Sequence, residues 1–230
     1  MLLSVDKIDV FYGRARVLSD VSIGAGRGEI VFIVGRNGAG KTTVLKTIAG
    51  FLHPSSGSIT FDGRIISGKS ADELARLGIR YVFQDKRVFT KLTVRENIEL
   101  AAYAVGEKLS NAIERVMMLY PAISLFLDKK AGGLSGGQRQ LLLIGRAMIG
   151  SPRLLLIDEP TEGLAAGTID EVVKALELVK GDVTLVLVEQ NLSVVSMLAD
   201  RIYCMKEGRI PAELSDPADI CNRELLETYL

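Results

Sequence analysis

Two periods alternate along the chain. Leu3 to Phe11 alternates loosely between apolar and polar and carries β-branched residues, which predicts a strand ending at Phe11, Tyr12 and Gly13; Val17 to Ile23 predicts a second. Glu29 to Val34 is an apolar run that reads as a buried strand, and Lys41 to Leu52 repeats at helical spacing. Pro54 to Gly57 marks a turn and Ser58 to Phe61 a strand. Asp62-Gly63, both tolerant of positive φ, then turns the chain back into Arg64, Ile65 and Ile66. A short helix over Ser70 to Leu77 leads to a buried strand, Ile79 to Phe83.

From about Val88 to Gly133 the pattern is mostly helical. Thr93 and Glu96 form a T-x-x-E capping box ahead of Asn97 to Val105, and a second helical stretch runs from Glu107 to Tyr120 and stops at Pro121. Leu134 to Gln138 opens a helix reaching about Ile149. Strands follow at Arg153 to Ile157, Asp182 to Val188 and Arg201 to Met205, with helices over Asp170 to Lys180 and Ser193 to Ala199 between them. Lys206 to Gly208 is a turn, the stretch beyond Pro211 reads as a polar tail, and Arg223 to Leu230 looks helical. Strands alternating with helices predict an α/β fold with a mixed, mainly parallel sheet. An antiparallel β subdomain accompanies it, and a helical subdomain interrupts it. The expectation is one domain over 1–230, with residues 1–87 and 134–230 as the core and 88–133 as the insertion.

Composition narrows this picture without redirecting it. Lys plus Arg (28) balances Asp plus Glu (28), so no net field points to nucleic acid or an anionic membrane. The first ten residues interrupt their apolar positions with Asp6, Lys7 and Asp9, which is no signal-peptide core. No apolar run approaches the ~20 residues that cross a bilayer. The chain is expected to be soluble by itself. Cys204 and Cys221, without CxxC spacing and with the single His53 in a polar connection, make zinc improbable and read as reduced thiols.

Candidate chemistry gathers at strand ends. Gly35-Arg36-Asn37-Gly38-Ala39-Gly40-Lys41-Thr42-Thr43 lies between a strand and a helix, and the spacing of Gly35, Gly40, Lys41 and Thr42 fits the P-loop pattern. Backbone N–H groups there wrap a phosphate chain, and the glycines are expected for access, since a Cβ would keep the phosphates away. Lys41 reaches the β- and γ-phosphates, and Thr42 is placed to ligate the Mg²⁺ that bridges them. Asp158 and Glu159 end a strand beside this loop. Adjacent strand residues point to opposite faces, so Asp158 is expected to hold the metal and Glu159 to act as general base on water. Gln84, at another strand end, suits either a metal or water ligand or a polar cap. Tyr12 suits either a base-stacking ring or a strand-end aromatic. Ser135 and Gln138 make an S-x-x-Q capping box, which leaves Gly136 and Gly137 unexplained, because glycine in a first helical turn costs up to about 1 kcal/mol. A second anion site at that helix start would account for them.

Taken together, Tyr12, Gly35 to Thr43, Gln84, Leu134-Ser135-Gly136-Gly137-Gln138 and Leu154 to Glu159 resemble, in order and over essentially the whole chain, the ATPase subunits of ABC transporters. The resemblance implies ATP and Mg²⁺ as ligands. Tyr12 would stack on adenine, and Gly35, Asn37, Gly38, Ala39, Gly40, Lys41, Thr42 and Thr43 would hold the phosphates. Thr42, Gln84 and Asp158 would sit at the metal, with Glu159, Gln190 and Lys41 as the catalytic set. Ser135 and Gly137 would close on the nucleotide of a second subunit paired head to tail. Two departures stand out: Ala165 occupies a place where the family usually has Asp, and Gln190 replaces its switch histidine. A glutamine can donate to a γ-phosphate but takes up no proton near neutral pH.

The stretches Glu162-Gly163-Leu164-Ala165 and Val188-Glu189-Gln190-Asn191 are similar to the ATPases of branched-chain amino-acid importers. That likeness implies a paralogous ATPase partner in preference to a homodimer and an extracytoplasmic solute-binding protein indirectly, while the wider family resemblance implies transmembrane permease subunits docking at the loop of Gln84 and at the helical insertion. It places the chain in the cytoplasm, peripheral on the inner face of the cell membrane, with no nucleic-acid partner. Urea or amide importers and a soluble, non-transport ABC ATPase are the alternative readings.

Overall fold

The computed structural model describes residues 1–229. Strand β1 (Leu3–Tyr12) pairs antiparallel with β2 (Ala15–Ala25) on one edge and with β4 (Ser56–Phe61) on the other, and β5 (Arg64–Ile65) closes a sheet of order β2-β1-β4-β5. Asp62 and Gly63 have φ of +51° and +72°, the left-handed pair that their dipeptide predicts. A second sheet contains β3 (Ile30–Val34), β6 (Ile79–Val82), β7 (Leu154–Asp158), β8 (Thr184–Val188), β9 (Arg201–Lys206) and β10 (Arg209–Leu214), in the order β10-β9-β3-β8-β7-β6. All its pairings are parallel except β10 with β9.

Every residue of β3, β7 and β8 is buried, which is why these segments read as unbroken apolar runs. Their side chains alternate between two cores. Ile30, Phe32, Val34, Leu155, Ile157, Leu185 and Leu187 join the helices of one flank. Val31, Ile33, Leu154, Leu156, Val186 and Val188 join the other, built from α1 (Lys41–Ile48) and the antiparallel sheet.

After the short α2 (Ala71–Arg76), helices α3 (Val94–Val105) and α4 (Leu109–Leu119) and two 3-10 turns, Pro121–Phe126 and Ala131–Gly133, lead into α5 (Gly136–Ala147). The predicted capping boxes are present. Glu96 N donates to Thr93 Oγ1 at 3.1 Å and Gln138 N to Ser135 Oγ at 3.2 Å, each with the reciprocal side-chain bond. Helix α5 packs against both α3 and α4. The chain then forms α6 (Ala166–Leu178), α7 (Leu192–Leu198), α8 (Pro217–Ile220) and α9 (Arg223–Thr228).

Several boundaries differ from the sequence reading. Helix α1 stops at Ile48 and not Leu52, because Gly50 takes a left-handed φ of +77° and reverses the chain. Pro211 does not begin a tail but lies in β10, the edge strand, where a missing N–H removes no obligatory ladder bond. Asp216 then caps α8 through the N–H of Ala218, with Pro217 at the first helical position. Of the helix expected over Arg223 to Leu230, the last residue lies outside the described residues. No helix among the described residues is long and apolar enough to cross a membrane.

Candidate nucleotide site

Parallel strands deliver the residues after them to one edge of the sheet, and four of these exits supply the cluster: Gly35 after β3, Gln84 just beyond β6, Glu159 after β7 and Glu189-Gln190 after β8. The loop after β3 is shaped largely by the protein itself. A Cβ at Gly35 (φ +157°) would lie 2.2 Å from Met205 O, and one at Gly40 (φ +110°) would meet Met205 Cε at 2.8 Å and Leu18 Cδ2 at 2.9 Å. Gly38 alone among the three has open space around it. Close packing against the β9 backbone excludes a side chain at Gly35, while Gly40 takes a left-handed φ that strains any residue but glycine.

Helix α1 starts at Lys41 with no side-chain cap and no acidic residue in its first turn. Its free N–H groups and the positive end of its dipole favour an anion there. Lys41 is 5% exposed, and its ammonium donates to Gly35 O at 2.7 Å and Arg36 O at 3.1 Å, leaving one of its three protons unassigned. Burial lowers its pKa, opposed by the nearby Glu159, Asp158 and Glu189 carboxylates.

The two acids after β7 part company. Asp158, the last residue of the strand, accepts from Thr42 Oγ1 at 3.0 Å on Oδ1 and from the Tyr81 hydroxyl at 3.0 Å on Oδ2. Glu159 leaves the strand at a left-handed φ of +48°. The turn of the backbone, not strand alternation, sends it elsewhere. Its Oε2 accepts from Gln84 Nε2 at 2.9 Å and its Oε1 from Gln190 Nε2 at 2.7 Å. Both amides spend their second proton on another neighbour, Gln84 on Glu162 Oε2 at 2.8 Å and Gln190 on Asn37 Oδ1 at 2.8 Å. The result is one hydrogen-bonded chain from the loop after β3 through Gln190, Glu159 and Gln84 to Glu162. Burial raises the pKa of both Asp158 and Glu159, and that of the Tyr81 phenol.

Tyr81 and Glu189 carry parts of this geometry that the sequence reading did not foresee. The buried Glu189 carboxylate accepts from Thr161 N at 2.9 Å, Gln190 N at 2.8 Å and Asn191 N at 3.0 Å, as well as from the Thr161 hydroxyl. It thereby ties the segment after β7 to the end of β8. The signal for it was an acid followed by two loop amides.

Other expected residues stand apart. Gln84 makes no bond to the Thr42–Asp158 pair, and Tyr12 lies half-exposed at the end of β1. At the start of α5, Ser135 and Gly136 are exposed, whereas Gly137 is buried, and a Cβ there would come within 2.0 Å of Thr168 Cγ2 on α6. Helix packing within the chain therefore explains the glycine at 137, while Gly136, with only Leu164 Cδ2 as near as 4.0 Å, has no such local reason.

The Thr42 hydroxyl and Asp158 carboxylate offer only oxygen donors, one of them anionic. This suits Mg²⁺, a hard ion that is commonly bound through one or two carboxylates with water and phosphate completing its shell. The described residues contain no set of three His, Cys, Asp or Glu side chains able to enclose a metal by themselves.

Comparison with known proteins gives the same picture. The family model described as "ABC transporter" matches residues 18–162. The high-affinity branched-chain amino acid transport ATP-binding protein BraG of Pseudomonas aeruginosa is 37% identical over 100% of this chain and 99% of its own. Among solved structures, a nucleotide-free ATP-binding cassette from an ABC transporter superposes with a TM-score of 0.86 at 30% identity, covering 100% of this chain and 98% of that one. A dimeric cassette in a post-hydrolysis state, bound to ADP and Pi, gives 0.82 at 25% identity over 93% and 98%.

Proposed function

The chain belongs to the ABC transporter family, as an ATP-binding and ATP-hydrolysing subunit, and from this premise we propose that it powers the import of branched-chain amino acids with Mg²⁺ as cofactor. One observation carries the catalytic part: both carboxylate oxygens of Glu159 are held by amide donors from two other strand ends. A general base needs a fixed direction and an uncommitted lone pair, and a carboxylate with one bond per oxygen keeps both.

The loop N–H groups, the start of α1 and the remaining proton of Lys41 bind and orient the phosphates. Thr42 and Asp158 would hold Mg²⁺, which would supply positive charge against the phosphates. Glu159 takes the proton of the attacking water. Gln190 cannot receive it; with its two amide protons on Glu159 and Asn37 it positions Glu159 against the phosphate loop. Tyr12 provides a flat face for the adenine ring.

Ser135, Gly136 and their exposed helix start close on the nucleotide of a second cassette, a paralogous subunit. Residues 88–133, as an inserted helical subdomain, and the loop after β6 receive the permease, which holds the chain against the cytoplasmic face of the membrane. The solute assignment is supported by the similarity to the Pseudomonas aeruginosa protein and by the Glu162–Ala165 and Val188–Asn191 stretches. Glu159→Gln tests the mechanism: ATP binding is retained while single-turnover hydrolysis falls roughly 10²- to 10⁴-fold. Weakened binding at unchanged turnover would contradict the role. Uptake of labelled leucine, against labelled urea, by vesicles carrying the assembled transporter tests the solute; urea uptake without leucine uptake rejects it.

A further inference from the structure

We propose that Tyr81 is a positioning residue that fixes the plane of the Asp158 carboxylate and links it to the groove on the outer side of β6. The proposal rests on the assignment of Asp158 to Mg²⁺ above. A carboxylate held at one oxygen can still rotate about its last torsion. Asp158 is held at both, by Thr42 on Oδ1 and by Tyr81 on Oδ2, each at 3.0 Å. At 2% exposure it has little water to take the place of either donor. The Tyr81 bond therefore fixes the direction of Oδ1, the oxygen shared with Thr42.

The Tyr81 ring meets Phe83 edge-on with centroids 4.5 Å apart and Phe51 at 5.7 Å, and Phe51 and Phe83 are themselves 5.3 Å apart. Tyr81 and Phe83 line a groove of about 1180 Å³ between α2, β6, the loop after it, α3 and α5, with Arg80, Phe89, Ala101 and Arg146 among its walls. Phe83 lines the groove and is half-exposed, so a group entering there presses on a ring that braces Tyr81. One side chain thus has its ring against Phe83, a residue of the groove, and its hydroxyl on the metal-binding acid. Displacing the ring turns the carboxylate.

Mn²⁺ replaces Mg²⁺ as a probe whose free ion is read by electron paramagnetic resonance, using the full-length chain saturated with a non-hydrolysable ATP analogue. Tyr81→Phe keeps the ring and loses the hydroxyl. It is expected to weaken Mn²⁺ binding about 10-fold, the loss typical of removing an outer partner of a metal ligand. Analogue affinity in EDTA should stay within about twofold of wild type, because the phosphate cradle is untouched. Phe83→Ala, which keeps the hydroxyl and removes its brace, is expected to move Mn²⁺ affinity in the same direction, and it decides the question alone if Tyr81→Phe does not fold. Wild-type Mn²⁺ affinity in Tyr81→Phe overturns the positioning role, as does an equal loss of analogue affinity in EDTA. A weakened Tyr81→Phe with an unchanged Phe83→Ala overturns the link to the groove. Asp158→Asn separates the two readings: if it binds Mn²⁺ as wild type does, the metal assignment itself fails.

Discussion

Glu159 occupies a left-handed backbone conformation that costs a non-glycine residue about 1–3 kcal/mol. The surrounding bonds from Gln84 and Gln190 hold it there, so these amides act as a pair on one carboxylate. Gln190→Ala is expected to slow single-turnover hydrolysis less than Glu159→Gln does, because Gln84 still holds the other oxygen. An equal or larger defect would show that Gln190 does more than position. The two thiols offer a second measurement at this scale. Burial pushes Cys204 up to about 11, while Cys221 is exposed. A raised thiol pKa means little thiolate at pH 8, so one thiol per native chain should react with a disulfide reagent and the second only on unfolding. Two fast thiols would contradict the buried setting of β9. The P-loop residues, Asp158 and Glu159 were legible in the sequence because their spacing and strand-end positions are local facts. Tyr81 was not: in an apolar strand it reads as core, and its hydroxyl partner lies 77 positions away.

Among the helices, caps decide where several of them begin. Thr93 and Ser135 sit in complete capping boxes, whereas Ala165 holds the corresponding place before α6 with extended angles (φ −72°, ψ 152°) and no side chain able to accept a bond. Ala165→Asp should therefore supply a missing acceptor. The expected gain is about 1 kcal/mol, or roughly 2–4 °C in Tm for a chain of this size, checked by thermal unfolding without nucleotide. Thr93→Ala should lose a similar amount. A destabilised Ala165→Asp would mean that the α6 start is not free to use the acceptor. Capping boxes and the Asp62-Gly63 hairpin were legible because each is written within four residues. The early end of α1 and the strand through Pro211 were not. The first depends on Gly50 adopting positive φ, and the second on β10 lying at a sheet edge, which no local window reveals.

The whole molecule places α1, which follows the P-loop, and α5, which opens at Ser135, on opposite flanks of the central sheet, with Val44 and Leu45 of α1 in one core and Leu141 and Ile144 of α5 in the other. Within one chain the start of α5 presents Ser135 and Gly136 outward. Gly136→Arg is accordingly expected to leave ATP binding by the isolated subunit unchanged and to abolish ATP-dependent association with its partner cassette in sedimentation velocity. Association as in wild type would remove the proposed pairing surface. The α/β class and the mixed sheet were legible from the alternation of strands and helices, but the two-sided core was not, because a fully buried strand shows no period of its own. Since neighbouring positions of β3, β7 and β8 serve different interiors, the flank built on α3, α4 and α5 can accumulate substitutions without disturbing the packing behind the phosphate loop. Such a division would let descendants of one ancestral cassette acquire new permeases, and with them new cargo, while inheriting the same engine.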